Sequence, residues 1–203
     1  QIQKQVLLIS SIGVFGNSLL YHLTLVYLPG TFVMVLENLA PIFVLFASFI
    51  YLGIKPSLKE IIALFISFLG IAFIAASKGS YPELQDGYYI GIVLGILTGV
   101  SFGAYTFYSA QYVKPLKREP LKIIQFLFKV FLLSSIMASP FVVLRSSIPS
   151  TRLQWFWLIE MGIFQSGLAY IFWNYALAHL KTSTASILFI LTIVFTTIKR
   201  ALN

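Results

Sequence analysis

The sequence predicts an all-α polytopic membrane protein of about seven transmembrane helices, on three observations. Apolar runs of about 20 residues, the length needed to cross a hydrocarbon core, follow one another along the chain. Hydrophobic residues make up 59% and charged residues 10%, with a mean hydropathy of +0.91, whereas a soluble domain carries about 25% charged residues. The connections between runs are short and hold turn residues and most of the Lys and Arg. A lipid-exposed backbone must satisfy its own hydrogen bonds, and the runs lack the alternation of barrel strands, so each reads as a helix.

The predicted helices cover residues 6–28, 31–52, 58–77, 88–113, 121–144, 153–180 and 182–198. The first carries Asn17, Tyr21 and Thr24 at i, i+4 and i+7, a polar stripe on one face. The second places Glu37, Asn38 and Pro41 inside an apolar span. A charge there costs roughly 2.5 kcal/mol or more unless it meets a polar cavity, a partner or a proton, so Glu37 is the leading functional candidate. Pro41 has no amide hydrogen to return to the Glu37 carbonyl, which leaves that carbonyl for a ligand or water. The alternative is a plain kink with Glu37 protonated against a neighbouring helix. The fourth run repeats glycine at Gly91, Gly95, Gly99 and Gly103, a smooth face for close helix packing.

Lys129 in the fifth run and Glu160 in the sixth are the other ionisable residues well inside apolar runs. Counting a rise of ~1.5 Å per residue, Glu37 and Glu160 share a depth ~12 Å from one surface, with Lys129 ~6 Å beyond them. Lys129 is therefore expected to neutralise one or both carboxylates, or else to snorkel to the nearer surface. Glu160, Gly167 and Asn174 fall within roughly 40° on an α-helical wheel, beside Tyr170. Trp173, Tyr175 and Tyr21 are candidates to stack on a planar or cationic substrate, while Trp155 and Trp157 read as interfacial anchors. The polar stripes serve equally as interhelical hydrogen bonds.

Lys4, Lys55, Lys59, Lys114, Lys117, Arg118, Lys122 and Lys181 fall on the Gln1 side. The other side holds Lys78, Arg145, Arg152, Lys199 and Arg200 with Glu83 and Asp86. Positive loops stay inside, so the Gln1 end is expected in the cytoplasm. The net charge of +8 is spread over these connections and forms no nucleic-acid patch. There is no cysteine and no His/Cys cluster, so no disulfide, metal or cofactor is expected. The opening QIQKQ, without an initiator Met, reads as part of a longer chain.

Shifting the sequence by 152 positions lays Thr24-Leu25 on Ala176-Leu177, Thr31 on Ser183, and Leu39 to Phe43 on Leu191 to Phe195. An odd number of helices separates the copies, which makes the repeat inverted in the membrane. In these residues the chain resembles the EamA-type branch of the drug/metabolite transporter superfamily. That resemblance implies a 5+5 inverted-repeat bundle in which residues 1–78 supply the later part of the first repeat (three helices) and 88–203 most of the second (four helices). Two helices before Gln1 and one after Asn203 would then be missing. It also implies a secondary transporter of small metabolites or amino-acid-like compounds, most simply an exporter working by alternating access in a prokaryotic plasma membrane. Its partners would be the lipid bilayer and a small-molecule substrate, and a homodimer is an open arrangement. Glu37 could then trade a proton for substrate or act only as a ligand. An inactive remnant is the alternative, because Gly53-Ile54-Lys55 stands where the family often has Gly-Glu, and Leu191-Thr192-Ile193-Val194 lacks the usual Glu-Pro. A membrane-embedded enzyme is the least favoured reading, for want of a nucleophile, metal or phosphate motif.

Overall fold

The computed structural model describes residues 2–77, 87–145 and 149–191, and among them there is helix and no strand. The first span is α1 (Ile2–Leu8), a π-helical segment π1 (Ile9–Gly16) and α2 (Asn17–Tyr27). Then come α3 (Gly30–Glu37), α4 (Ala40–Leu52), α5 (Leu58–Ser77), α6 (Tyr88–Val113) and α7 (Pro120–Arg145). The last described span is α8 (Arg152–Glu160), a second π-helical segment π2 (Met161–Leu168) and α9 (Ala169–His179), followed by α10 (Thr182–Phe189). Among the described residues four stretches are long and apolar enough to cross a bilayer: Gln3–Tyr27, Phe32–Leu52, Tyr88–Leu116 and Pro120–Leu144. The protein is a multi-pass, all-helical membrane protein.

Local chemistry sets the ends. Leu28 is extended and Pro29 follows it, so α2 stops and a new helix starts at once. Gly53 closes α4 at φ 65, in the left-handed region, where its N–H and that of Ile54 return to the carbonyls of Phe49 and Ser48. Ser57 with Glu60 opens α5, and Thr151 with Gln154 opens α8, each by reciprocal capping. Lys78, Glu83, Asp86, Lys199, Arg200 and the motif positions beyond Leu191 lie outside the described residues, as does the end of the seventh predicted run.

The run predicted over 31–52, with Pro41 as its expected break, is two helices. Leu39 donates to the Leu36 carbonyl at 3.1 Å, a tightened turn, and α4 restarts with Pro41 in its first turn. Pro41 can return no bond to Glu37, so the interruption falls at Asn38-Leu39.

The glycine face of α6 packs on this interrupted pair. A Cβ on Gly99 would lie 2.6 Å from the Leu36 carbonyl oxygen and 3.4 Å from that of Glu37. On Gly91 it would meet Tyr27 and Leu28, on Gly95 the Leu36 side chain, and on Gly103 Phe43. The carbonyl freed by Pro41 therefore faces a glycine backbone, where the sequence suggests a ligand or water.

The 152-residue offset reappears in the fold. π1, α2 and α3 begin and end 152 residues before π2, α9 and α10, and the extended linkers Leu28-Pro29 and Leu180-Lys181 match as well. The two wide turns are held differently. Ser134 Oγ donates to the Ser10 carbonyl at 3.0 Å and Ser101 Oγ to that of Ile12, so neighbouring helices satisfy π1. Among the described residues no side chain from another helix donates to π2 in this way.

Buried apolar side chains gather at one end of the bundle. Ala110 and Val113 end α6, Ile123 and Phe126 begin α7, Leu177 ends α9 and Ala185 begins α10. Among the described residues two cavities adjoin this cluster, and Ala185 also lines one of them.

Candidate functional site

The site is built where the interrupted span meets the two spans that contain π segments. Glu37 is the last residue of α3, so the break that Pro41 imposes leaves its side chain at a helix end inside the bundle. Asn17, the first residue of α2 after the wide turn, donates Nδ2 to Glu37 Oε1 at 3.3 Å. The carboxylate thus has a neutral partner from another helix.

Glu37 and Tyr170 line both cavities. The larger, about 920 Å³, is walled by Asn17, Ser18, Tyr21 and His22 of α2, by Phe131, Ser134 and Phe141 of α7, and by Ser166 of π2. The smaller, about 670 Å³, is aromatic: Phe102, Trp173 and Phe189 surround it, with Gln165 of π2 as an amide. Phe102 and Phe189 have ring centroids 4.5 Å apart, and Phe102 stacks on Trp173 at 6.1 Å. Among the described residues neither lining contains Lys or Arg.

Behind this wall lies a polar knot. Asn174, fully buried, donates Nδ2 to the Tyr105 hydroxyl at 2.6 Å and to the Tyr170 carbonyl at 2.9 Å. Among the described residues, Asn17 Oδ1, Trp173 Nε1 and Asn174 Oδ1 are buried without a hydrogen-bond partner. Buried polar atoms are normally satisfied, so an indole N–H and an amide oxygen beside a cavity are groups that a bound molecule or water would complete.

Of the residues singled out in the sequence, Asn17, Tyr21, Glu37, Tyr170 and Trp173 line a cavity, and Asn174 supports Tyr170 from behind. Asn38 is buried but turns Nδ2 back to its own helix, at 2.7 Å from the Met34 carbonyl. Tyr175 is 49% exposed and packs on His179.

Lys129 and Glu160 line neither cavity, and the expected pairing of Lys129 with Glu37 or Glu160 does not form among the described residues. Lys129 is exposed on the outer face of α7, while its neighbour Val130 is fully buried. Glu160 is displaced for a different reason. The α-helical wheel that aligned it with Asn174 assumes 100° per residue, and the wider turns of π2 between them advance less. Lys129→Met is therefore expected to change stability by no more than about 0.5 kcal/mol, in the range of ordinary surface changes, as read from the thermal midpoint in detergent. A midpoint lowered by much more than that would place the amine in a buried contact.

Phe102, Tyr105, Gln165 and Phe189 are site residues that the sequence reading passed over. The adjacent hydroxyls Ser134 and Ser135, inside an apolar run, were a visible sign of a wet wall.

Across residues 2–76 and 89–202 the chain matches the EamA-like transporter family. An uncharacterized transporter of Archaeoglobus fulgidus is 30% identical over 87% of this chain and 61% of its own length. A second from the same organism is 27% identical over 94% and 65%, respectively. A biotin transporter of Salmonella typhimurium is 26% identical over 58% of this chain and 40% of its own length. A solved crystal structure, 16% identical, superposes with a TM-score of 0.78 over 98% of this chain and 66% of that one. The chain thus spans less than two thirds of the length of these relatives.

Proposed function

Since the chain belongs to the EamA-like transporter family, we propose that it carries small metabolites or amino-acid-like compounds outward across a prokaryotic plasma membrane by alternating access. Membership supports reading it as a membrane transporter. Substrate, direction and mechanism are the proposal. The observation that carries it is Glu37, a carboxylate shared by two cavities whose linings hold no Lys or Arg among the described residues. An ionised Glu37 there favours a substrate with an amine, and the aromatic wall of Phe102, Trp173 and Phe189 suits an apolar or planar body. A protonated Glu37 would accept a neutral or acidic compound instead, the direction in which the biotin relative points.

Orientation belongs to the same proposal. With the Lys-rich side in the cytoplasm, the larger cavity, which reaches Tyr21, His22, Phe141 and Val142, lies toward the outer side, while the smaller extends to Leu180 and Ala185 beside Lys181. The test is counterflow in proteoliposomes with labelled amino acids, amines and biotin. Exchange of amino compounds that unlabelled amines suppress is the expected result. Exchange of biotin alone, or of no amino compound, would overturn the substrate class.

A further inference from the structure

At the 152-residue offset α10 is the counterpart of α3, and each ends on a wall of the smaller cavity, α3 at Glu37 and α10 at Phe189. Their beginnings differ. Thr182, the first residue of α10, accepts from Lys114 Nζ at 2.9 Å, and Ser183 donates its hydroxyl to Glu60 Oε1 in the first turn of α5. At the corresponding point α3 begins with Gly30, which has no side chain to hold.

Glu60 is prepared for its contact. Ser57 gives its N–H and its hydroxyl to Oε2, at 2.8 and 2.9 Å, which fixes the carboxylate by one oxygen and leaves Oε1 for α10. A side chain already held by its own helix loses little further freedom in reaching a second one. Lys181 stands beside the same carboxylate. The start of α10 is thus tied both to α5 and to Lys114, which directly follows α6.

The ties lie at the Lys181 end of the smaller cavity, which Leu180, Ala185, Leu188 and Phe189 help to line. Ala185 is buried and belongs to the apolar cluster at that end. A swing of α10 would carry these wall residues with it and open the cavity there.

We infer that Ser183–Glu60 and Thr182–Lys114 are the latch of a gate, made while the Lys181 end is shut and parted when it opens. Glu60 and Lys114 are positioning residues, acting on the cavity through α10. The inference rests on the alternating-access reading above, in which the two ends are open in turn. On that reading, weakening the latch opens the Lys181 end at the expense of the other.

The sequence has no cysteine, so single introduced thiols report access. Ala185→Cys reads the latched end of the smaller cavity and Ser18→Cys the larger cavity. Each is labelled in the full chain, in open membrane fragments, with a small charged methanethiosulfonate and no substrate. Each lost tie is expected to shift the ratio of open to shut by about fivefold. With Thr182→Val and Ser183→Ala together, Ala185→Cys should label faster by about fivefold or more, and Ser18→Cys more slowly. Ser183→Thr keeps the hydroxyl and should label as the native chain does. So should Ser186→Ala, whose hydroxyl bonds only within α10, to the Ser183 carbonyl at 2.8 Å. Unchanged labelling of Ala185→Cys would overturn the latch. A gain there with no loss at Ser18→Cys would also overturn it, as local fraying of α10, and so would an equal gain in Ser186→Ala. A wrong substrate class shows in counterflow and leaves these rates untouched, so the two failures are told apart.

Discussion

Replacing Glu37 with Gln is expected to lower exchange by tenfold or more while leaving the folded protein intact. Gln keeps the volume and an oxygen at the position that Asn17 contacts at 3.3 Å, so the interhelical hydrogen bond survives as a neutral one. What disappears is the charge, and with it any proton that Glu37 carries. Hydrogen bonds to a charged group are worth about 1.5–3 kcal/mol, which corresponds to about 10–100-fold in affinity for an amine. Proteoliposome exchange measured across pH separates two roles. If Glu37 only binds, the variant loses affinity and its remaining exchange varies with pH as in the native protein. Where Glu37 carries the coupling proton, that pH dependence flattens as well. Unchanged exchange at every pH would remove Glu37 from the mechanism.

The second large effect belongs to Gly99. Its ideal Cβ falls 2.6 Å from the Leu36 carbonyl oxygen, and that oxygen is main chain next to a helix interruption, so no rotamer change relieves the contact. Gly99→Ala must push α6 away from α3, moving the carboxylate of Glu37 with it. Overpacking of this kind costs about 1–3 kcal/mol. The expected result is a lowered thermal midpoint in detergent and poor recovery of monodisperse protein. Gly162→Ala is the matched control, since a Cβ at Gly162 meets nothing within 4 Å. Equal midpoints for the two variants would mean that the close approach of α6 does not hold the site together.

How much of this was legible in the sequence depends on what each feature needs. Spans such as 58–77 and 88–113 are fixed by local quantities, apolar length and the turn residues at each end, and the helices fall at those residues. The break near Pro41 is also local, since one missing amide hydrogen decides it. Partners are not local. Nothing in the chain says that Asn17 rather than Lys129 meets Glu37, because depth along a helix gives no azimuth, and Lys129 turned out to face outward. The wheel through Glu160 failed because π2 alters the phase of the helix, and a wide turn leaves no periodic mark in an apolar run. Cavity residues such as Phe102 and Phe189 look like any other core aromatic until α6 and α10 are brought together.

The paired wide turns bear on the history of the chain. Two irregularities that start and stop at equivalent residues are most simply explained by one event, so the π segment belonged to the ancestral unit before that unit was copied. The serines at positions 101 and 134, which today secure only the earlier copy, would then be later additions. Divergence would have fallen on the neighbours of the wide turn and left the turn itself in both descendants.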